Sequence, residues 1–257
     1  MDEKTAKRIL DLTAASYEKI APQFSATRHY PWDDLLPLTK IVRDGMSLLD
    51  VGCGNGRLLS LFKEKEIQYM GVDRSRGLIT EAHKAFEGDQ RNPLFLEGDI
   101  LSLDTIPKVK EQQFDIVASV AVLNHIPTHE LQMKAVRQLY TILKEGGTLC
   151  ITTWNLWRPT VKQKSVWKYG LERYAIADQE WERQYGFSKK ELGIKDVMTV
   201  WHSGITFAPL YYYSFTLHEL AMLCTQAGFI VKDTYYSSRG KRAHWWNGKN
   251  IIIIAKK

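Results

Sequence analysis

Short apolar runs alternate with segments of helical periodicity between about residues 47 and 154. The apolar runs predict buried strands, and the run at 114–123 is apolar enough to be covered on both faces. The predicted strands are 47–51, 67–73, 92–99, 114–123 and 148–154, and the predicted helices are 55–65, 77–86 and 129–143, the last ended by Gly146-Gly147. This alternation is typical of a parallel sheet with helices on both faces.

The pattern changes on both sides of this segment. A helix is predicted over 5–21, ended by Pro22, and residues 155–213 are rich in aromatic and charged residues without a clear period. A helix over 216–228, ended by Gly228, and two strands at 229–238 and 250–257 follow. We therefore expect one domain in four parts: a lid helix and segment (1–46), a cofactor-binding core (47–154), an inserted substrate cap (155–213), and a closing helix and hairpin (214–257).

Three glycines follow the first predicted strand in the stretch LLDVGCGNGRLL (48–59). Gly52, Gly54 and Gly56 remove Cβ atoms at the edge where open α/β sheets bind ligands. The spacing G-x-G-x-G differs from the dinucleotide and P-loop motifs. Asp50, directly before the loop, disfavours a pyrophosphate and favours a ligand that carries a cation.

Two further carboxylates follow the next predicted strands. Asp73 ends the second strand, a position from which a carboxylate binds ribose hydroxyls. Asp99 ends the third strand, and the apolar Ile100 and Leu101 after it suit an adenine ring. A ligand with an adenine, a ribose and a cation but no phosphate fits all three carboxylates, and S-adenosylmethionine is such a ligand.

These motifs resemble those of the class I S-adenosylmethionine-dependent methyltransferases. The resemblance covers about 47–154 through LLDVGCGNG, MGVDRS, LEGDI, FDIVASVAVLNHI and LKEGGTLCITTW. It implies a Rossmann-like α/β fold, with a seven-stranded, mostly parallel sheet and a closing antiparallel hairpin, and S-adenosylmethionine as cofactor. The cofactor-binding residues that it implies are Tyr17, Arg28, Trp32, Asp50, Gly52, Gly54, Asn55, Gly56, Asp73, Arg74, Asp99, Ile100, Ser119 and Ala121.

A narrower resemblance lies partly outside the core. YEKIAPQFSATRHYPWDDLL (17–36) is similar to the N-terminal segment of the tRNA wobble-uridine carboxymethyl methyltransferases, which methylate the carboxylate of 5-carboxymethyluridine in the anticodon. VAVLNHIPTHE, Trp154 and YYYSFTLHEL (211–220) also fit. The chain departs from that family at Asn124, where the family has a histidine, in the middle segment and in the basic loop 239–249. The resemblance implies tRNA and a small zinc-carrying activator subunit as partners.

The acceptor determines which catalytic groups are needed. A carboxylate is ionised at neutral pH, so it requires alignment with the methyl group and exclusion of water rather than a general base. His125 is the candidate base if the acceptor must lose a proton. Arg28 is a candidate partner for the carboxylate of the acceptor or of the cofactor, and Trp154 is a candidate for stacking on a base. Tyr17 and Trp32 are expected to close over the cofactor.

Composition leaves the acceptor open. The chain has 257 residues, a net charge of +6 and a hydrophobic fraction of 44%, which fits one large globular domain that tolerates an anionic partner. Cations alternate with aromatic residues in 155–196 and in 239–249, as on an RNA-binding surface; buried aromatics under solvated charges are the alternative. A methyltransferase for a small acid or phenol, and a catalytically silent module that binds the cofactor or RNA, are the competing hypotheses.

The remaining features concern the compartment. Cys53, Cys150 and Cys224 are too widely spaced for a metal motif or a disulfide framework, which predicts buried free thiols in a reducing compartment. The segment MDEKTAKRIL lacks the apolar core of a signal peptide, and no apolar run approaches the roughly 20 residues of a membrane span. We expect a cytoplasmic protein with no metal site and with neither membrane nor DNA as a partner.

Overall fold

The computed structural model describes residues 1–28, 30, 32–159, 165–203 and 206–257. The strands are β1 (Ser47–Val51), β2 (Gln68–Asp73), β3 (Leu94–Glu97), β4 (Phe114–Val120), β5 (Leu143–Trp154), β6 (Asp196–Ser203), β7 (Thr206–Tyr213), β8 (Ile230–Ser238), β9 (Lys241–Ala243) and β10 (Asn250–Lys256). The α-helices are α1 (Glu3–Ala26), α2 (Leu36–Thr39), α3 (Arg76–Ala85), α4 (Pro107–Lys110), α5 (His129–Ile142), α6 (Val166–Ala175), α7 (Asp178–Tyr185) and α8 (Leu217–Gln226).

The main sheet has the strand order β3-β2-β1-β4-β5-β10-β8-β9. Strands β1 to β5 pair in parallel, whereas β10 pairs antiparallel with both β5 and β8. The predicted α/β fold and closing antiparallel hairpin are therefore confirmed. The strand count is corrected from seven to eight because Arg239 and Gly240, both with positive φ, form a two-residue turn that pairs β9 with β8.

Apolar side chains cover both faces of the central strands. Leu48 and Leu49 are adjacent in β1 but belong to two different buried clusters, one on each side of the sheet. Successive side chains of a strand point to opposite faces, so each cluster takes every second residue. This burial on both faces explains why the central strands have continuous apolar runs in the sequence.

Three predicted boundaries are wrong. Helix α1 continues through Pro22 to Ala26, because Ile20, Ala21 and Ser25 are buried on both sides of the proline and it removes only one backbone hydrogen bond. The predicted helix at 55–65 is a 3₁₀ helix over Arg57–Phe62. Helix α5 ends at Ile142 rather than at the glycine pair, because Leu143 pairs with Phe114 of β4 and begins β5.

The segment 155–213 contains structure that its sequence pattern did not predict. Helices α6 and α7 precede a separate two-stranded antiparallel sheet formed by β6 and β7. Six of its twelve Trp, Tyr and Phe residues are buried. Among them, Trp181 and Tyr185 pack with Ile9 of α1, and Tyr211 and Tyr212 are fully buried. Trp167, by contrast, is 53% exposed. Burial therefore accounts for half of the aromatic residues of this segment, and Trp167, Tyr174 and Phe207 stay exposed.

Two further expectations concern cysteines and membranes. All three cysteines are buried and free, as predicted. Among the helices in the described ranges, none combines the length and apolar character needed to cross a bilayer.

Replacing Pro22 by alanine is expected to stabilise the protein. The alanine N–H restores the missing helical hydrogen bond, so the free energy of unfolding should rise by about 1–3 kcal/mol in urea denaturation, part of the gain being offset by greater freedom of the unfolded chain. Pro37→Ala is the matched control, because Pro37 lies in the first turn of α2, where no helical bond is missing. Equal effects of the two substitutions would contradict this account of α1.

Candidate active site

A cavity of about 780 Å³ lies at the carboxyl ends of β1, β2 and β4, beneath α1 and the β6–β7 hairpin. Fourteen predicted site residues line it: Tyr17, Arg28, Trp32, Asp50, Gly52, Gly54, Asn55, Asp73, Arg74, Asp99, Ile100, Ala121, His125 and Trp154. The sequence motifs thus converge on one space, although they come from segments far apart in the chain.

Gly56 and Ser119 do not line the cavity. A Cβ on Gly56 would lie within 3.0 Å of the rings of Phe86 and Phe95, so this glycine permits packing behind the loop. Ser119 lies inside β4 with no exposed surface. Both residues therefore lie behind the cavity surface, where they support its wall.

The glycine loop brings backbone to the cavity surface. Gly52 has a φ of +76°, and a Cβ there would lie 2.1 Å from Cγ2 of Val122, so only glycine fits. At Gly54 a Cβ would have a single neighbour, Phe24 at 3.9 Å, and would occupy space in the cavity instead. The loop is therefore open to a ligand at Gly54 and closely packed at Gly52.

Asp73 and Asp99 are held by backbone amides. The Asp73 oxygens accept from the N–H groups of Gly54 at 2.8 Å and Ser75 at 2.9 Å. Asp99 accepts from the N–H of Leu101 at 2.9 Å, and its other oxygen lies 3.4 Å from Nε of Arg74. These bonds fix the orientation of both carboxylates and leave lone pairs available at the cavity.

Arg74 joins α1 to this edge of the sheet. Besides Asp99, its guanidinium reaches the carbonyl of Leu10 at 3.1 Å and the carboxylate of Asp11 at 3.0 Å. Three protein acceptors therefore already occupy this side chain. Its described contacts hold α1 against the strand ends.

Asp50 is a buried carboxyl with an unpartnered oxygen. Its residue is 1% exposed, and Oδ2 accepts a hydrogen bond from Tyr69 at 2.6 Å, whereas Oδ1 has no partner. Burial is the main cause that raises the pKa of Asp50 to about 7. Because an ionised buried carboxylate is costly without a partner, this position fits the cation that the sequence suggested.

Two arginines face the same cavity without an acidic partner. The Arg28 guanidinium lies 5.1 Å from the ring of Phe24 and 5.5 Å from that of Trp201, and Arg57 lies 5.0 Å from the ring of Trp32. In the described part of the chain, no carboxylate forms an ion pair with either guanidinium. Burial, followed by the charge of Arg28, lowers the pKa of Arg57 to about 10. This pair is suited to an anion.

Sequence reasoning missed Arg57. Its only signal is its position directly after Gly56, at the end of the glycine motif. A cation at the start of a helix is most often a solvated surface residue, so the sequence could not distinguish that from a cavity wall. The cations Arg158, Lys168 and Lys249 also line the cavity.

Aromatic side chains form another part of the wall. Nδ1 of His125 lies 2.8 Å from the carbonyl of Tyr211 and must donate, because a carbonyl only accepts. In the neutral ring, Nε2 then accepts from the Tyr17 hydroxyl at 3.0 Å. Trp154 stacks on Tyr212 with ring centroids 4.9 Å apart. Both ring nitrogens of His125 are thus engaged, and Trp154 is fixed at the cavity by a neighbouring ring.

The cavity combines the buried carboxyl of Asp50 and the partly buried carboxylates of Asp73 and Asp99 with two partly buried guanidinium groups. It can hold a ligand with a cation and hydroxyls together with a second group that is anionic. No cluster of three or more metal-ligating side chains exists within the described ranges. The carboxylates, the unpartnered Asp50 oxygen and the open backbone at Gly54 fit S-adenosylmethionine.

Comparison with known proteins gives the same class. A methyltransferase-domain family model matches residues 24–233. The tRNA (carboxymethyluridine(34)-5-O)-methyltransferase of Saccharomyces cerevisiae is 36% identical over 54% of this chain and 47% of that protein. Its namesake in Macaca fascicularis is 30% identical over 66% of this chain and 24% of that protein. This chain therefore spans a quarter to a half of the length of these two relatives.

Solved structures support the fold. A methyltransferase of Methanosarcina mazei, described as S-adenosylmethionine-dependent, matches with a TM-score of 0.62 and 19% identity, covering 86% of this chain and 96% of that one. Fold and site together define a class I methyltransferase domain with S-adenosylmethionine as cofactor. The chain belongs to the methyltransferase-domain family, and its sequence resembles the wobble-uridine branch.

The stability of the cofactor-free protein is expected to fall as pH rises from about 4 to about 7. In this window the unfolded Asp50 carboxyl ionises while the folded one, with a pKa of about 7 against the usual 3.8, stays protonated. The fold therefore binds more protons, and the loss reaches about 4 kcal/mol when complete. Asp50→Asn should remove this loss, as measured by urea denaturation across the pH range.

Tyr69→Phe is the companion variant, because it removes the hydrogen bond that favours the ionised form of Asp50. Its stability should continue to fall above pH 7. If Asp50→Asn had a pH profile parallel to that of the wild type, the burial of Asp50 would not be responsible.

Proposed function

We propose that the protein transfers the methyl group of S-adenosylmethionine to the carboxylate of a modified uridine at the tRNA wobble position, converting 5-carboxymethyluridine into its methyl ester. The observation that carries the proposal is the pair of arginines, Arg28 and Arg57, in the cofactor cavity without an acidic partner. Two relatives named for this reaction support the choice of acceptor.

The cofactor roles follow from the fixed carboxylates. Asp73 would bind the ribose hydroxyls, Asp99 with Ile100 the adenine, and the free oxygen of Asp50 the ammonium group. The bound cofactor supplies an electrophilic methyl group on a sulfonium. The glycine loop, with its open backbone at Gly54, would let this ligand lie against the protein.

The chain's own contribution is orientation and exclusion of water. One arginine would pair with the methionine carboxylate and the other with the acceptor carboxylate, which holds the nucleophile in place. Tyr17, Trp154 and Tyr212 would shield the reacting atoms from water.

His125 acts in this proposal through Tyr17 rather than as a base. Its ring nitrogens are both engaged in the described hydrogen bonds. An acceptor that had to lose a proton, such as a phenol, would need one of these bonds to break. A carboxylate has no such requirement, and this difference favours an acid as the acceptor.

Partners and compartment are proposed with the function. The substrate would be the anticodon region of tRNA, and the protein would act in the cytoplasm. A small zinc-carrying activator subunit stays a prediction from the sequence resemblance.

The test is methyl transfer from radiolabelled S-adenosylmethionine to tRNA that carries unesterified 5-carboxymethyluridine, with a candidate activator subunit added in parallel. Base-labile label on the tRNA is expected, because a methyl ester hydrolyses in base. Asp73→Asn should lose the label as its Kd for the cofactor rises. Label on free carboxylic acids but never on tRNA would reject the tRNA acceptor in favour of a small-molecule one.

Replacing Arg57 by glutamine is expected to lower kcat/KM by about 10- to 100-fold, because a charge-assisted pair with a carboxylate is lost. A higher cofactor Kd would show that Arg57 binds the methionine carboxylate, whereas a higher acceptor KM would show that it binds the acceptor carboxylate. Arg183→Gln is the matched control, since Arg183 is an exposed arginine of α7. Wild-type values of both constants in Arg57→Gln would contradict the proposed role.

A further inference from the structure

The connection between β8 and β10 presents two tryptophans to solvent beside the cavity. Trp245 is 51% exposed and Trp246 is 48% exposed. The ring of His244 stacks on Trp246 with centroids 4.3 Å apart and planes 2° from parallel, and Trp245 stands perpendicular to Trp246. We call these three residues the indole patch. Large exposed aromatic groups in a cluster indicate a binding surface rather than chance.

Hydrogen bonds close the loop that carries the patch. The His244 carbonyl accepts from the N–H of Gly248 at 2.8 Å, and the His244 N–H donates to the side chain of Asn247 at 2.8 Å. These bonds use backbone and Asn247, not the indole rings. The rings therefore stay available to a ligand without any change in the hydrogen bonds that close the loop.

Hydrogen bonds also fix the patch relative to the cavity. The side chain of Asn155, which lines the cavity, donates to the carbonyls of Trp245 at 2.7 Å and Gly248 at 2.9 Å. The backbone N–H of Asn155 donates to the carbonyl of Lys249 at 2.9 Å, and Lys249 also lines the cavity. A cavity-lining residue is thus hydrogen-bonded directly to the backbone of the patch.

The chain on either side of the patch carries exposed cations. Arg239, Lys241 and Lys249 are exposed, and no carboxylate in the described ranges forms an ion pair with them. Arg242 is already paired with Asp233. Aromatic faces for bases next to cations for phosphates are the combination that binds single-stranded nucleic acid.

We propose that the indole patch stacks on an unpaired base adjacent to the modified uridine while that uridine occupies the cavity. This inference rests on the proposed function and extends it, because it assigns a second contact to the same RNA. An anionic lipid surface would also suit tryptophans among cations. RNA is favoured because the patch is fixed to the wall of the reacting site, a link that membrane binding does not need.

The test compares Trp246→Ala with Trp246→Phe, which keeps an aromatic face. The main readout is the Kd for a fluorescent anticodon stem-loop carrying 5-carboxymethyluridine, with S-adenosylmethionine present. Stacking on an aromatic side chain supports roughly a tenfold change on alanine substitution. We expect that rise in Kd for Trp246→Ala, near wild-type binding for Trp246→Phe, and unchanged kinetics of both on the free nucleoside. Ile230→Ala, an exposed apolar residue at the other end of β8, is the control.

The outcomes separate this inference from the proposed function. Methylation of the stem-loop with unchanged Kd in Trp246→Ala would overturn the stacking role and leave the function intact. Absence of methylation by the wild-type protein even with the candidate activator subunit added, together with Trp246-dependent binding, would reject the function and support the patch. Binding of the wild-type protein to phosphatidylserine vesicles but not to the stem-loop, lost in Trp246→Ala, would overturn the inference in favour of a membrane surface.

Discussion

The parallel pairing of β1 with both β2 and β4 is the constraint on which the site depends. Val51 pairs with Val72 on one side and with Ser119 on the other, so the three strands end at the same level. Their loops must then open at a common edge. Asp50 is carried into the core by this arrangement, because β1 is buried along its whole length. The cavity exists because the sheet ends there, and α1, β6 and β7 only cover it.

Charges of opposite sign enter the cavity from different parts of the chain. The carboxylates come from strand ends of the sheet, whereas the cations come from the segment after α1, the end of the glycine loop, the middle segment and the closing hairpin. Asp50 and Arg57 are both held in surroundings that disfavour their charged forms. A ligand of opposite charge removes that cost on binding, so the ligand-free protein stores part of the binding energy as unfavourable electrostatics.

Local signals determined which parts were predictable from the sequence. Strand ends and the glycine loop were predicted because a buried parallel strand and the turn after it are contiguous in the sequence. They appear there as an apolar run followed by polar residues or glycine, as at Asp50 and Asp73. The β6–β7 hairpin was missed because its aromatic residues pack on several sides, so burial has no period. The end of α1 was predicted wrongly at Pro22, because burial of the residues on both sides of the proline outweighs one lost hydrogen bond. Arg57 was missed because exposure of a cation depends on distant elements, here the ring of Trp32.

Asp34 connects regions of the chain that the ribosome synthesises at very different times. It is buried, and it accepts hydrogen bonds from the Ser237 hydroxyl at 2.6 Å, from the N–H of Gly240 at 2.7 Å and from the side chain of Asn250. Until residue 237 has left the ribosome, this carboxylate has none of these partners. The bonds that tie this segment to the closing strands are therefore complete only after residue 250 has emerged, so the edge of the cavity that Trp32 and Asn250 line is among the last parts of the site to be assembled.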